Sequence, residues 1–298
     1  MNHMVQFQSC PCCKSVRLEK VLQLKDYSIS QESFDLYSCM DCGCRITQNA
    51  PCETAIQRYY AADNYISHSD TKTGLINKLY HLARKITLRS KLRIVQEVTG
   101  RTTGMLLDLG CGTGSFLNHM ATKGWSAIGL EPDPQARKVA SQRYNADVYP
   151  SDQLFQLPDE TYHAITLWHV LEHVHRLDET IEQLSKLLTK EGKLIVAVPN
   201  YKSHDAMHYG AHWAAYDVPR HLYHFSPQSF KLLMQRHHLK VVRTYPMWLD
   251  SFYVSMLSEQ YKGGHMIKAI WQGILSNIIA LFQKERCSSL IYIIEKGK

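Results

Sequence analysis

The chain has 298 residues, 45% of them hydrophobic and 20% charged, and a formal net charge of +7. That length and balance describe an ordinary folded protein with one main domain and an appendage, not a disordered or fibrous chain. Lys and Arg are scattered, so anionic substrates are weakly favoured and nucleic acid is not demanded.

The opening residues lack the charged and apolar regions of an export signal, so the cytoplasm is the expected compartment. Cys10 and Cys13, then Cys39 and Cys42, give two C-x2-C knuckles separated by a polar stretch, and Gly43 suits a tight turn beside the second. Four thiolates at this spacing surround zinc tetrahedrally and leave no open position, so a structural Zn2+ is expected. Cys12 and Cys44 are spare, and the ligand set could be permuted. A disulfide framework is disfavoured by the lack of an export signal and by the doubled spacing. Residues 1–53 thus read as a zinc-ribbon-like module that needs its metal to fold.

Residues 54–100 form a helical connector, with Leu75, Leu79, Leu82, Ile86, Leu92 and Val95 on recurring faces. Tyr59, Tyr60, Tyr65 and His68 lie in it, either as packing or as a cover for a ligand. From 101 to 298 strands and helices alternate. Strands are expected at Met105–Leu109, Ala127–Leu130, Asp147–Tyr149, Ala164–Leu167, Leu194–Val198, Leu239–Thr244 and Leu290–Ile294. Helices are expected from Ser115, Pro134, Asp178 and Pro227, with Pro134 and Gly192 as punctuation. This alternation predicts an α/β, doubly wound parallel sheet with helices on both faces. A helical insertion occupies about 248–287. Its apolar part, Met266–Phe282, is too short and interrupted for a membrane span, and predicts core packing, a dimer face or peripheral contact with lipid.

The most informative stretch is Asp108-Leu109-Gly110-Cys111-Gly112-Thr113-Gly114-Ser115. A strand feeding a helix through alternate glycines exposes bare backbone to a ligand, and Glu131 at the next strand's end can hold ribose hydroxyls. Ser115 breaks the dinucleotide fingerprint, and no phosphate-loop lysine follows. The pattern resembles the class I S-adenosylmethionine-dependent methyltransferases. Asp108, Gly110, Gly112, Gly114 and Glu131 match that family's cofactor positions one by one. The resemblance implies a Rossmann-like fold with its last strand inserted antiparallel. It also implies S-adenosylmethionine as cofactor, with Cys111, Asp152 and Trp168 as further contacts.

The segment Leu167-Trp168-His169-Val170 lacks the Asn/Asp-Pro-Pro-aromatic motif of amine and amide methylases. Leu171-Glu172-His173-Val174 instead resembles methyltransferases of ubiquinone biosynthesis and of sugars. The long loop after Val198 carries Trp213-Ala-Ala-Tyr216-Asp217-Val-Pro219-Arg220-His221-Leu222-Tyr223-His224-Phe225-Ser226, similar to the substrate loop of that group. Sugar C-methyltransferases, which also carry an N-terminal four-cysteine module, show His-Glu-His-x-x-Tyr-Phe-Ser there. This chain has Pro219, Arg220 and His224 at three of those places, which disfavours carbon methylation. His169, His173, His221 and His224 are the candidate proton acceptors, and Arg220 is a candidate for an anionic substrate group. His204, His208 and His212 are spaced by four as on a metal-binding helix face, but Gly210 interrupts it.

The expected function is methyl transfer, on oxygen, to a small-molecule, sugar or lipid-linked acceptor. Two alternatives are a sugar C-methyltransferase and an RNA methyltransferase with a zinc module. Against RNA, Lys14, Arg17, Lys20, Lys25 and Arg45 of the module are offset by Glu19, Asp26, Glu32, Asp35, Asp41 and Glu53. A cofactor-binding protein without catalysis is a third class, for which a loop so rich in His and Tyr is superfluous.

Overall fold

The computed structural model describes residues 4–60 and 75–297. Tyr65 and His68 lie outside the described residues. In chain order the elements are β1 Met4–Val5, β2 Leu18–Lys25, β3 Ser33–Cys39, β4 Arg45–Gln48, β5 Ala50–Pro51, α1 Leu75–Thr99, β6 Gly104–Leu109, α2 Ser115–Ala121, β7 Trp125–Leu130, α3 Pro134–Tyr144 and β8 Val148–Tyr149. There follow β9 Tyr162–Trp168, α4 Leu177–Leu187, β10 Leu188–Pro199, α5 His204–Tyr209, β11 Tyr223–His224, α6 Pro227–Arg236, β12 Leu239–Pro246, α7 Asp250–Lys262, α8 Met266–Phe282 and β13 Ser289–Lys296.

Seven strands form the main sheet in the order β12-β13-β10-β9-β6-β7-β8. The pairs around β6 are parallel, while β13 runs antiparallel to both neighbours, with Val196 opposite Tyr292. This is a Rossmann-like sheet with its last strand inserted antiparallel, as expected. The strand order places the carboxyl ends of β6, β7, β9 and β10 along one edge, where a doubly wound sheet binds ligands. Local signals set the helices: Asp133 caps α3 ahead of Pro134, and Ser226 and Ser229 form a reciprocal capping box on α6. The strand β10 begins six residues earlier than expected and shifts register between Leu188 and Lys193, around Gly192. A side chain at Gly192 would lie 2.8 Å from the Tyr162 carbonyl oxygen, so only glycine fits this irregularity.

The N-terminal strands make a second sheet, in the order β11-β4-β3-β2. Its fourth strand, β11, comes from the long loop of the main domain, with Tyr223 opposite Ile46. Cys10, Cys12, Cys39, Cys42 and Cys44 share one apolar cluster with Leu107, Val196 and Phe225 of the main domain. The cysteine-bearing segment is therefore part of the same core, and the loop expected to face substrate is built into it. The insertion is a helical hairpin, α7 packed on α8. Among the described residues, no helix is long and apolar enough to cross a membrane.

Candidate active site

Gly110, Gly112 and Gly114 all have positive φ, at 69°, 54° and 76°. The backbone N–H groups of Gly110 and Cys111 donate to Leu130 O, at 2.7 and 3.1 Å, which folds the turn back onto β7. A Cβ at Gly110 would fall 2.4 Å from Val170 Cγ2, and one at Gly114 would fall 2.9 Å from Ala140 Cβ. Gly112 differs, because its missing Cβ faces open space. Gly112 N–H donates to Glu131 Oε2 at 2.9 Å, and Asp133 N–H donates to Oε1 at 3.0 Å. Burial raises the Glu131 carboxyl above its usual range, opposed by those two backbone bonds. Open space beside a fixed carboxylate with lone pairs to spare fits the ribose of S-adenosylmethionine.

Beneath the turn, buried Asp108 accepts a hydrogen bond from Thr166 Oγ1 at 2.6 Å. Burial pushes its carboxyl up to about 7, against the pull of Thr166 and Lys91. Burial likewise lowers the Lys91 ammonium to about 8, against the attraction of Asp108 and Asp250. Lys91 Nζ lies 4.2 Å from the Trp168 ring centre, and that ring meets Phe116 edge-on at 5.4 Å. Trp168 is thus packed between α1 and α2 behind the turn. The Cys111 Sγ fills the space beside Gly129, where an added Cβ would lie 2.5 Å from it. Asp152 is exposed at the start of a short turn after β8.

Beyond β9 the chain brings His169, Glu172, His173 and His221 together. His169 Nε2 lies 2.8 Å from Asp250 Oδ2, and its Nδ1 lies 3.4 Å from Glu172 Oε1. Burial works against its charge, but Asp250 and Glu172 prevail and raise its pKa to about 10. The two carboxylates favour the charged form of His169, which makes it a less apt proton acceptor than His221. His173 Nδ1 lies 3.1 Å from Arg220 O and 3.0 Å from Tyr60 Oη. A carbonyl only accepts, so Nδ1 carries a hydrogen. The His221 ring stands the same way, with Nδ1 at 2.9 Å from Ala215 O, and its centre lies 4.5 Å from that of His173. Burial, then the neighbouring His173, presses the His221 pKa well below the ordinary histidine value.

His224 is turned elsewhere. Its Nε2 lies 2.9 Å from Thr47 Oγ1 on β4, whose hydroxyl donates to His221 O at 2.7 Å. Burial, followed by Arg45, pushes its pKa down to about 3. The ring is a neutral strut behind His221. Arg220 is also not a substrate contact. Its guanidinium is 1% exposed and donates to Asp26, Asp217, Ser28 and the Tyr59 carbonyl. Sequence reasoning missed Asp250 and Lys91, which reach this site from the insertion and the connector. Tyr60, left open between packing and covering, meets His173.

Two groups have metal-ligating chemistry. Cys10, Cys13, Cys39 and Cys42 bring their sulfurs within 4.8 Å of one another. Cys10 and Cys42 are 3.5 Å apart, and Cys13 and Cys39 are 3.4 Å apart. Tetrahedral zinc with Zn–S near 2.3 Å has sulfur–sulfur edges of about 3.8 Å, so the cluster fits. Cys12 and Cys44 are buried alongside, and with Cys10 they form a second close set. Glu172, His173 and His221 also converge within 4.8 Å. His204 and His208 lie on α5, which Gly210 ends at φ 54°, and His212 falls outside it.

A family model described as "Methyltransferase domain" matches residues 80–244, more than half of the chain. An uncharacterized methyltransferase of Alkaliphilus oremlandii is 23% identical over 146 residues, covering 48% of this chain and 64% of that protein. The mitochondrial ubiquinone biosynthesis O-methyltransferase of Schizosaccharomyces pombe is 26% identical over 130 residues, covering 41% of this chain and 47% of that protein. The chain thus spans about half to two thirds of the length of these relatives. The structure of magnesium protoporphyrin IX methyltransferase from Synechocystis PCC 6803 is similar in fold, with a TM-score of 0.51 and 15% identity, covering 81% of this chain and 92% of that one.

Proposed function

The chain belongs to the methyltransferase-domain family as a class I S-adenosylmethionine-dependent methyltransferase, and from that premise we propose that it methylates an oxygen of a small-molecule, sugar or lipid-linked acceptor. The observation that carries this reading is the pair of imidazoles at His173 and His221. Both have Nδ1–H committed to a backbone carbonyl, and the His221 ring, its pKa pressed low, offers a bare Nε2.

When bound, S-adenosylmethionine supplies a methyl group already activated by its sulfonium. What remains for the protein is alignment and removal of the acceptor's proton. Glu131, fixed by two backbone N–H groups, would hold the ribose hydroxyls, and the open side of Gly112 would give the cofactor room. Val170 fills the space over Gly110 and so ties the Glu172-His173 turn to the cofactor turn. His221, whose pKa is pressed low, is neutral at physiological pH and takes a hydroxyl proton, while His173 orients that hydroxyl. His169, held as a cation by Asp250 and Glu172, fixes the Glu172 carboxylate beside them.

Oxygen is favoured over carbon because the loop lacks the His-Glu pair of the sugar C-methylating group, with Pro219 and Arg220 in its place. Arg220 is locked to Asp26 and Asp217. The similarity to a ubiquinone O-methyltransferase points the same way. Its test is a screen for tritiated methyl transfer into nucleotide sugars, lipid-linked precursors, small phenols and bulk RNA. Label in a base-stable ether of one of the first three classes supports the reading. Label in RNA, or on carbon or nitrogen only, refutes it.

A further inference from the structure

We infer that α8 is a docking surface for an anionic lipid bilayer, and that the acceptor is therefore presented from a membrane. The helix wears its sides in reverse of the usual order for a folded protein. Small residues, Ala269, Gly273, Ser276 and Ala280, face inward and are buried. Ile267, Trp271 and Phe282 face outward, at 81%, 63% and 84% exposure, with Ile270, Ile274, Ile278 and Leu281 on the same spacing. An apolar face of this extent marks an interaction site rather than scattered exposure.

The orientation is built in. A side chain at Gly273 would meet Phe252 of α7 at 2.6 Å, and Ser276 Oγ donates to buried Asp205 at 2.9 Å. Turning the large residues inward would drive them into space that Phe252 and Asp205 already fill. Among the described residues, nothing covers them.

Charge selects the occupant. Lys262, His265 and Lys268 flank the start of α8, and Lys284 and Arg286 flank its end. The sequence carries no Asp or Glu from Gln260 through Lys284, and Glu285 pairs with Lys231 at 2.9 Å. A second copy laid on this face, parallel or antiparallel, would set basic ends against basic ends with no acid on the helix to meet them. Anionic headgroups answer both ends while the acyl region takes the apolar face. Seventeen residues of helix reach about 26 Å, short of a bilayer's hydrocarbon core, so the helix lies along the surface.

The hairpin also reaches the site. Asp250, the first residue of α7, is the ion-pair partner of His169, so docking α8 holds the His169–Glu172–His221 group near the lipid surface. A lipid-linked acceptor suits that placement. This second half of the inference rests on the methyl-transfer reading, whereas the lipid contact does not.

The test is co-sedimentation of the full chain with vesicles of phosphatidylcholine doped with phosphatidylglycerol, against phosphatidylcholine alone, with S-adenosylmethionine binding measured on the same sample. The expected result is binding to the anionic vesicles that weakens with salt. It should fall more than tenfold in the Ile267→Asp/Trp271→Asp variant, and several-fold in Lys268→Glu/Lys284→Glu. All four residues are exposed, so these variants should keep the fold and the cofactor affinity of the parent. Absence of vesicle binding by the parent chain, or equal binding by the Ile267→Asp/Trp271→Asp variant, would overturn the inference. A concentration-dependent dimer that this variant abolishes, without vesicle binding, would assign the face to a second copy instead. Loss of cofactor binding in the parent chain would count against the methyl-transfer reading and leave the vesicle result standing.

Discussion

Arg220 and Asp26 are 194 positions apart and form an ion pair at 2.9 Å in which neither side chain is more than 1% exposed. Burial alone would raise the Asp26 carboxyl, but Arg220 and the Ser30 N–H hold it down at about 2. The pair joins the N-terminal sheet to the loop that carries His221, and Asp217 closes it from the other side. Removing one partner leaves the other charge buried and unpaired. Asp26→Asn should therefore cost about 3–5 kcal/mol in chemical denaturation. A cost below about 1 kcal/mol would show that the two units are not coupled in this way.

Zinc is expected to stabilise the same junction. Purified protein should carry about one zinc per chain. Cys39→Ser should lose the metal and lower the melting temperature, whereas Cys12→Ala and Cys44→Ala should retain it. Since β11 belongs to the N-terminal sheet, metal removal should also make the 200–225 loop sensitive to protease. Zinc loss with the loop still protected would separate the metal from the loop's order.

Stability should fall in acid for a reason that can be assigned. His224 titrates near 3 when folded against an ordinary 6.5. The unfolded chain therefore takes up the proton first. The contribution is complete above pH 6.5 and declines as pH drops toward 3, by about 1.4 kcal/mol per pH unit. Asp26 adds a second loss, from its ordinary 3.8 down to about 2. His224→Gln, which can still reach Thr47, should flatten the slope between pH 6.5 and 3 in urea titrations. An unchanged slope would place the acid sensitivity elsewhere.

The imidazole pair should matter for turnover and not for the cofactor. Once an acceptor is in hand, His221→Gln should lower kcat by about 10²–10⁴-fold while S-adenosylmethionine affinity stays within a factor of two or three of the parent. His224→Gln, away from the reacting atoms, should reduce kcat far less. Equal losses in both variants would contradict the assignment of His221 as proton acceptor.

Much of this was legible in the residues because it was local. The glycine turn, Asp133 before Pro134, and Ser226 before Pro227 each carry their structural cause within a few positions. The antiparallel last strand followed from resemblance rather than from any local signal. What stayed hidden depends on pairings across the chain. Nothing near Arg220 says that Asp26 will neutralise it, and nothing near His169 says that Asp250 will hold it charged. His224 looked equivalent to His221 in sequence, yet strand pairing with Arg45 turns it to Thr47. The outward face of α8 was readable as apolar but not as outward, because its direction is set by the small residues that fit against α7.

The Gly112 opening beside Glu131 is the proposed seat of S-adenosylmethionine. Isothermal titration of the cofactor into the full chain tests it most directly. Saturable binding is predicted for the parent chain and for His221→Gln, with affinity reduced at least tenfold in Glu131→Ala and in Gly112→Arg. Equal affinity in all four proteins, or no binding by the parent chain, would contradict it.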